Sequence, residues 1–282
     1  MPSPATLHHG ALADYCEGFA QSYECNAILV KLFSKWIQFD LLVSLLTADA
    51  EHRLGARTTP MTVGEIKEES GLSERAIQIF LPTLAFYRLI EIHPSPNDRR
   101  ARTVTPLPKI EKILTDWLTQ AFRFIDRCEF NDAVKLSPML QDPDWFLRFK
   151  AQAGRASLSG EFAWRDYPLV AFFSDRHAGF QLLAVIMACH YRGRPCKDLS
   201  KYKSLFGVSR SHLYKLLQDA KAHGWIEQDA GLSTYMPTAA MLNAFEGFVI
   251  DEAQFLLGHA TASRTDSLNA AEISGNFWTS AA

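Results

Sequence analysis

Apolar positions first recur at helical spacing after Asn26. Ile28, Leu29, Leu32, Phe33, Trp36, Ile37, Leu41, Leu42, Leu45 and Leu46 stand about three or four apart or side by side, which predicts a long amphipathic helix. The 25 residues before it are weakly patterned and read as an N-terminal extension. Thr62 followed by Glu65 is a capping-box signature, so a short helix carrying Val63 and Ile66 starts there and stops at Gly71. Ser73 is placed to cap a second helix carrying Ile77, Phe80, Leu81 and Leu84. Ile90 to Ile92 then alternates like a strand, HPSPNDRRAR makes a charged turn, and Thr103 to Thr105 returns. Helix, turn, helix and charged-tip hairpin is the order of a winged helix-turn-helix. The turn calls for a residue tolerant of positive φ, which Gly71 is.

The same pattern recurs 136 residues on. Without a gap, Lys67 falls on Lys203, Gly71 on Gly207, Ser73 on Ser209, Leu81 on Leu217, Ile90 on Ile226 and Glu91 on Glu227. Six identities over so short a window indicate an internal duplication. The second copy has its own leading helix, Phe180 to Tyr191, and its own hairpin, Ile226 to Met236, turning at Asp229-Ala230-Gly231. Between the copies lie a helix from Ile110 to Arg127 and a connector rich in aromatics, among them Trp145, Phe149, Phe162 and Trp164, which must pack rather than dangle. A helix from Ala239 to Leu257 follows, and the Ala/Ser/Thr-rich end reads as frayed apart from an anchor at Phe277-Trp278. The predicted class is mainly α with short β-hairpin wings, a tandem winged helix-turn-helix with pseudo-two-fold symmetry. Its parts are an extension (1–25), a first unit with flanking helices (26–130), a connector (131–174), a second unit (175–257) and a tail (258–282).

Composition narrows the function. Apolar residues make 48% of the chain and charged residues 21%, the balance of a globular protein. No apolar run nears the ~20 residues of a membrane span, so no membrane partner is expected. Neither a signal peptide nor a Cys-x-x-Cys pair is present among the five cysteines, which predicts reduced thiols in a cytoplasmic protein. Net charge is −2, which excludes a uniformly cationic nucleic-acid binder. Locally the picture differs. Arg192, Arg194, Lys197, Lys201, Lys203, Arg210 and Lys215 face a single acid, Asp198, within the second helix-turn-helix. A patch of that sign on that motif points to double-stranded DNA.

In the second copy Val208, Leu213 and Leu216 are predicted to face inward, and Ser209, Arg210, Ser211, Tyr214 and Lys215 outward. Arginine suits guanine, while serine, tyrosine and lysine suit phosphate oxygens. The first copy offers Ser73, Arg75 and Gln78 on its second helix, with Glu74 opposing phosphate and Pro82 breaking a backbone bond. Its wing compensates with Arg99, Arg100 and Arg102. Residues 62–109, with Asn97-Asp98-Arg99-Arg100-Ala101-Arg102 after the helix-turn-helix, resemble the winged-helix domain of the multiple-antibiotic-resistance regulator (MarR) family. That resemblance implies a transcriptional regulator with terminal helices forming a dimer, with Asp98 and Arg100 as the wing pair. It departs from the family in holding two copies in one chain, which leaves two arrangements open, an internal pseudo-dimer or a homodimer. The resemblance also implies a small aromatic effector. Phe33, Trp36, Phe39, Trp117 and Phe122 can line such a pocket, though aromatics at helical spacing also build ordinary core. No nucleotide loop, zinc-protease motif or nucleophile elbow is present, so neither enzymatic activity nor a cofactor is expected. Two rivals remain: a plasmid-type replication initiator, which also joins unlike winged helices, and a winged-helix protein-interaction scaffold.

Overall fold

A computed structural model describes residues 7–24, 32, 35–70, 72–95, 98, 100–128, 130, 135–197, 202–229 and 234–276. The fold is mainly helical with two small antiparallel hairpins. In order, α1 is His9–Glu24, α2 Trp36–Arg53, α3 Val63–Ser70, α4 Glu74–Phe86, β1 Ile90–Pro94, β2 Arg102–Pro106 and α5 Pro108–Arg127. After a 3-10 turn at Ser137–Gln141 come α6 Pro143–Leu158, a second 3-10 turn at Trp164–Asp166, α7 Pro168–Ser174 and α8 Gly179–Tyr191. The chain continues through α9 Tyr202–Leu205, α10 Arg210–Ala222, β3 Ile226–Asp229, β4 Thr234–Pro237 and α11 Ala239–Asn276.

Local chemistry accounts for the repeated boundaries. The Thr62 amide and hydroxyl both donate to Glu65 at 2.7 Å, and the Glu65 amide donates back to Thr62 Oγ1 at 3.2 Å, closing the capping box that starts α3. Ser73 Oγ accepts from the Ala76 amide at 3.2 Å, and Ser209 Oγ from the His212 amide at 3.1 Å, so α4 and α10 begin alike. They also end alike. Arg88 and Gly224 both take positive φ, 54° and 74°, and the Leu89 and Trp225 amides reach back to the Leu84 and Ala220 carbonyls. Gly207 turns the chain before α10 with φ 62°; Gly71 lies outside the described residues. Ile90 pairs with Pro106 through to Pro94 with Arg102, and Ile226 with Pro237 through to Asp229 with Thr234. Single bridges, Thr62 to Thr103 and Cys196 to Tyr235, add a third short strand position to each hairpin. The turn at residues 230–233 is outside the described residues.

Two expectations need correcting, and a third falls partly outside the described residues. Residues 1–25 are not merely an extension, because α1 buries Leu12, Tyr15, Cys16 and Phe19 against α5 and α8. The weak pattern there arises because α1 meets neighbours on two sides, so no single stripe carries its apolar positions. The helix expected from Asn26 is described only from Trp36, apart from residue 32. The tail is not frayed at Leu257: α11 runs to Asn276, Trp145 Nε1 donates to the Ala260 carbonyl at 3.2 Å, and Ser263 Oγ donates to Gln152 at 2.8 Å. Phe277 and Trp278 lie outside the described residues.

The connector packs, as its aromatics required. α6 lies between α2 and α11, with Trp145 stacked on Phe149 at 5.2 Å and Phe122 edge-on to Phe149 at 5.5 Å. Helix α8 is buried at every position from Gly179 to Ala188, which is why its sequence is apolar all round instead of striped. Among the described residues no helix is long and apolar enough to cross a membrane.

Candidate nucleic-acid interface

Helix α10 divides cleanly between core and solvent. Leu213, Leu216, Leu217 and Ala220 are buried, Phe206 is buried beneath the turn, and Val208 is half-buried. Ser209, Arg210, Ser211, Tyr214 and Lys215 are all exposed, as are Lys197 and Lys203 beside them. Tyr214 is 58% exposed, too much for a core tyrosine. His212 faces inward: its Nε2 donates to the His177 carbonyl at 2.8 Å and ties the start of α10 to the loop before α8. Among the described residues Lys197, Lys203, Arg210 and Lys215 make no ion pair. Lys201 lies outside them.

The cationic patch is smaller in space than along the chain. Arg192 is paired with Asp14 and, at 2.7 Å, with Glu17, and Arg194 is paired with Glu17, all on α1. The bond from Arg192 holds the Glu17 carboxyl below the usual carboxylate range. Both arginines therefore serve the contact between α1 and the second unit. A linear count could not reveal this, since the acids lie about 175 residues away.

In the first unit Ser73, Arg75 and Gln78 are exposed on α4. Glu74 pairs with Lys67 at 3.1 Å and accepts from Gln78 Nε2 at 3.4 Å, which draws Gln78 toward a carboxylate. The helix runs on through Pro82, and its outer face carries Ile79, 62% exposed, and Phe86, 81% exposed. Arg100 and Arg102 are exposed on the wing, and Arg99 lies outside the described residues. Asp98 shapes the tip: its Oδ1 accepts from the Arg100 amide at 2.8 Å.

A pocket opens among α2, α5, α6 and α11. Of the five aromatics expected there, Phe39 and Trp117 do line it, edge to face at 5.2 Å. Phe122 instead sits in the core, its ring edge-on to Trp145 and Phe149. Phe33 and the Trp36 side chain lie outside the described residues. Three lining residues had no sequence signal, Asp40, Lys150 and Glu252, while Trp164 was legible only as a packing aromatic of the connector. Trp164 Nε1 donates to both Asp40 oxygens, at 3.3 and 3.2 Å. The Lys150 ammonium is buried, paired with Glu111 and set 4.8 Å from the Phe146 ring centre. Glu252 is 2% exposed and accepts from the Tyr15 hydroxyl at 2.7 Å, and burial pushes its carboxyl up to about 7.

No family model, no curated protein and no solved structure matches the chain.

Proposed function

We propose that the chain binds duplex DNA and regulates transcription through two diverged winged helix-turn-helix units, the second of which reads bases. The observation that carries this reading is the outer face of α10. Arg210, Ser211, Tyr214 and Lys215 are exposed behind a glycine turn, flanked by Lys197 and Lys203. A helix so placed enters a major groove with its N-terminal residues at the base edges. Arg210 is first in α10 and offers a fork of donors to guanine. Ser209 uses an oxygen lone pair to cap the helix and shares a 2.9 Å hydrogen bond with the Ser211 hydroxyl, so the two serines together keep one O–H to offer a phosphate. Lys197 and Lys203, with Lys201, supply charge to the backbone. The first unit contributes its wing: Arg100 and Arg102, with Arg99, suit a minor groove.

Two unlike units in one chain call for an asymmetric target instead of a palindrome. Selection of bound duplexes from a random pool tests this. An enriched, asymmetric sequence is expected, and failure to shift any duplex at low salt defeats the proposal.

A second reading has its own observation. The outer face of α4 exposes Ile79 and Phe86, which fit a protein surface better than a phosphate-lined groove. In this reading the first unit docks a protein while the second holds DNA. Arg75→Ala distinguishes the two: unchanged affinity for the selected duplex favours protein docking, and a loss places α4 on DNA.

A further inference from the structure

Resting on the reading that α10 enters a major groove, we infer that Tyr214 reads the 5-methyl group of a pyrimidine, thymine or 5-methylcytosine, beside the guanine held by Arg210. Its ring is the apolar feature on the first half of an otherwise polar face. Arg210, Ser211 and Lys215 are exposed around it, and Tyr214 itself is 58% exposed. Other rings about this unit are engaged: Tyr202 stacks on Phe206 at 5.5 Å, and Phe172 meets His223 at 4.7 Å. Tyr214 makes no ring contact among the described residues. Burial, and after it Tyr214, push the Tyr235 hydroxyl on β4 up, so the two phenols are neighbours between α10 and the second hairpin.

The chemistry of the groove selects the methyl. Base edges there present hydrogen-bond donors and acceptors, and the 5-methyl of a pyrimidine is their apolar group. A phenol ring laid over polar edges strips their water and returns little, whereas over a methyl it buries apolar surface. A tyrosine has only two side-chain torsions to fix, so ordering takes back little of that gain. Register follows from the helix. Arg210 and Tyr214 are four apart and share one side of α10. Such neighbours stand about 5–6 Å apart at Cβ, and stacked base pairs about 3.4 Å. With Arg210 on a guanine, Tyr214 therefore comes over the next base pair or the one after it. The rival use of this residue is a hydroxyl bond to a phosphate, which carries no sequence information.

The test uses the full chain and the duplex it selects. Each thymine is replaced in turn by uracil, which deletes the methyl and leaves every hydrogen-bonding group in place. An affinity loss of about fourfold is expected at one thymine, next or next but one to the guanine whose preference Arg210→Ala flattens. At that position cytosine should bind more weakly than 5-methylcytosine by about the same factor. Tyr214→Phe keeps the ring and should keep the uracil effect, while Tyr214→Ala should erase it. Neither variant disturbs the core, because the side chain is mostly in solvent. A flat uracil scan on a duplex that the chain does bind overturns this assignment alone, whereas failure to hold any duplex overturns the reading beneath it. A flat scan with uniform weakening in Tyr214→Phe gives the hydroxyl to a phosphate and also overturns it. So does an undiminished uracil effect in Tyr214→Ala, which hands the methyl to another side chain.

Discussion

Arg210 opens α10 one residue after its cap, exposed and in no ion pair among the described residues. If it reads guanine, Arg210→Ala costs about 1–3 kcal/mol on the selected site and flattens preference at one base pair. Gel shifts against single-base variants of that site measure both. Lys203→Ala, by contrast, should weaken every sequence alike and lower the log–log salt slope by about 0.9. Glu252 makes a different prediction, in pH. Its carboxyl rises from 4.5 to about 7 on folding, so between those values the folded chain holds a proton the unfolded chain has lost. Stability then falls as pH rises across this window, by on the order of 3 kcal/mol in total, and the loss is complete above it. Thermal unfolding from pH 4 to 8 should show a shallower fall for Glu252→Gln, and identical slopes would remove Glu252 as the cause. Arg210 was legible because an exposed residue acts through its own chemistry and its place after a cap. Glu252 was not, since Asp251-Glu252 reads as a solvated helix face until α1 covers it.

At the scale of elements, α4 and α10 show how local rules carry a duplication. Cap, length, buried positions and left-handed exit recur at the same offset, each set by residues within a few positions of one another. Junctions obey other rules. A Cβ on Gly179 would stand 1.9 Å from the Phe173 carbonyl oxygen and 2.8 Å from its carbon, backbone atoms that cannot swing away. Gly179→Ala should therefore loosen the turn from α7 into α8 and cost about 1–3 kcal/mol. Gly247 in α11 has nothing within 4 Å of the same added atom, so Gly247→Ala should gain about 0.5–1 kcal/mol from helix propensity. Chemical denaturation of the two variants should move their midpoints in opposite directions. A shared sign would show that helix propensity, not the Phe173 contact, governs Gly179.

On the scale of the whole molecule, α1 bridges α5 and α8, and α6 bridges α2 and α11, so each unit's core is completed by segments outside it. Unfolding should accordingly be one cooperative transition. Calorimetry showing two separable peaks, one per unit, would contradict that coupling. The bridging also explains what was readable at the outset. Helix starts, the two helix–helix–hairpin segments and the outward set on α10 were determined by the sequence itself, because capping, periodicity and turn chemistry act between residues a few positions apart. Only tertiary structure decided that α1 belongs to the core, that Arg192 and Arg194 face Asp14 and Glu17, and that Glu252 shares a pocket with Trp117. Those pairings join residues about a hundred or more positions apart, and burial and charge at such distances depend on how the helices pack.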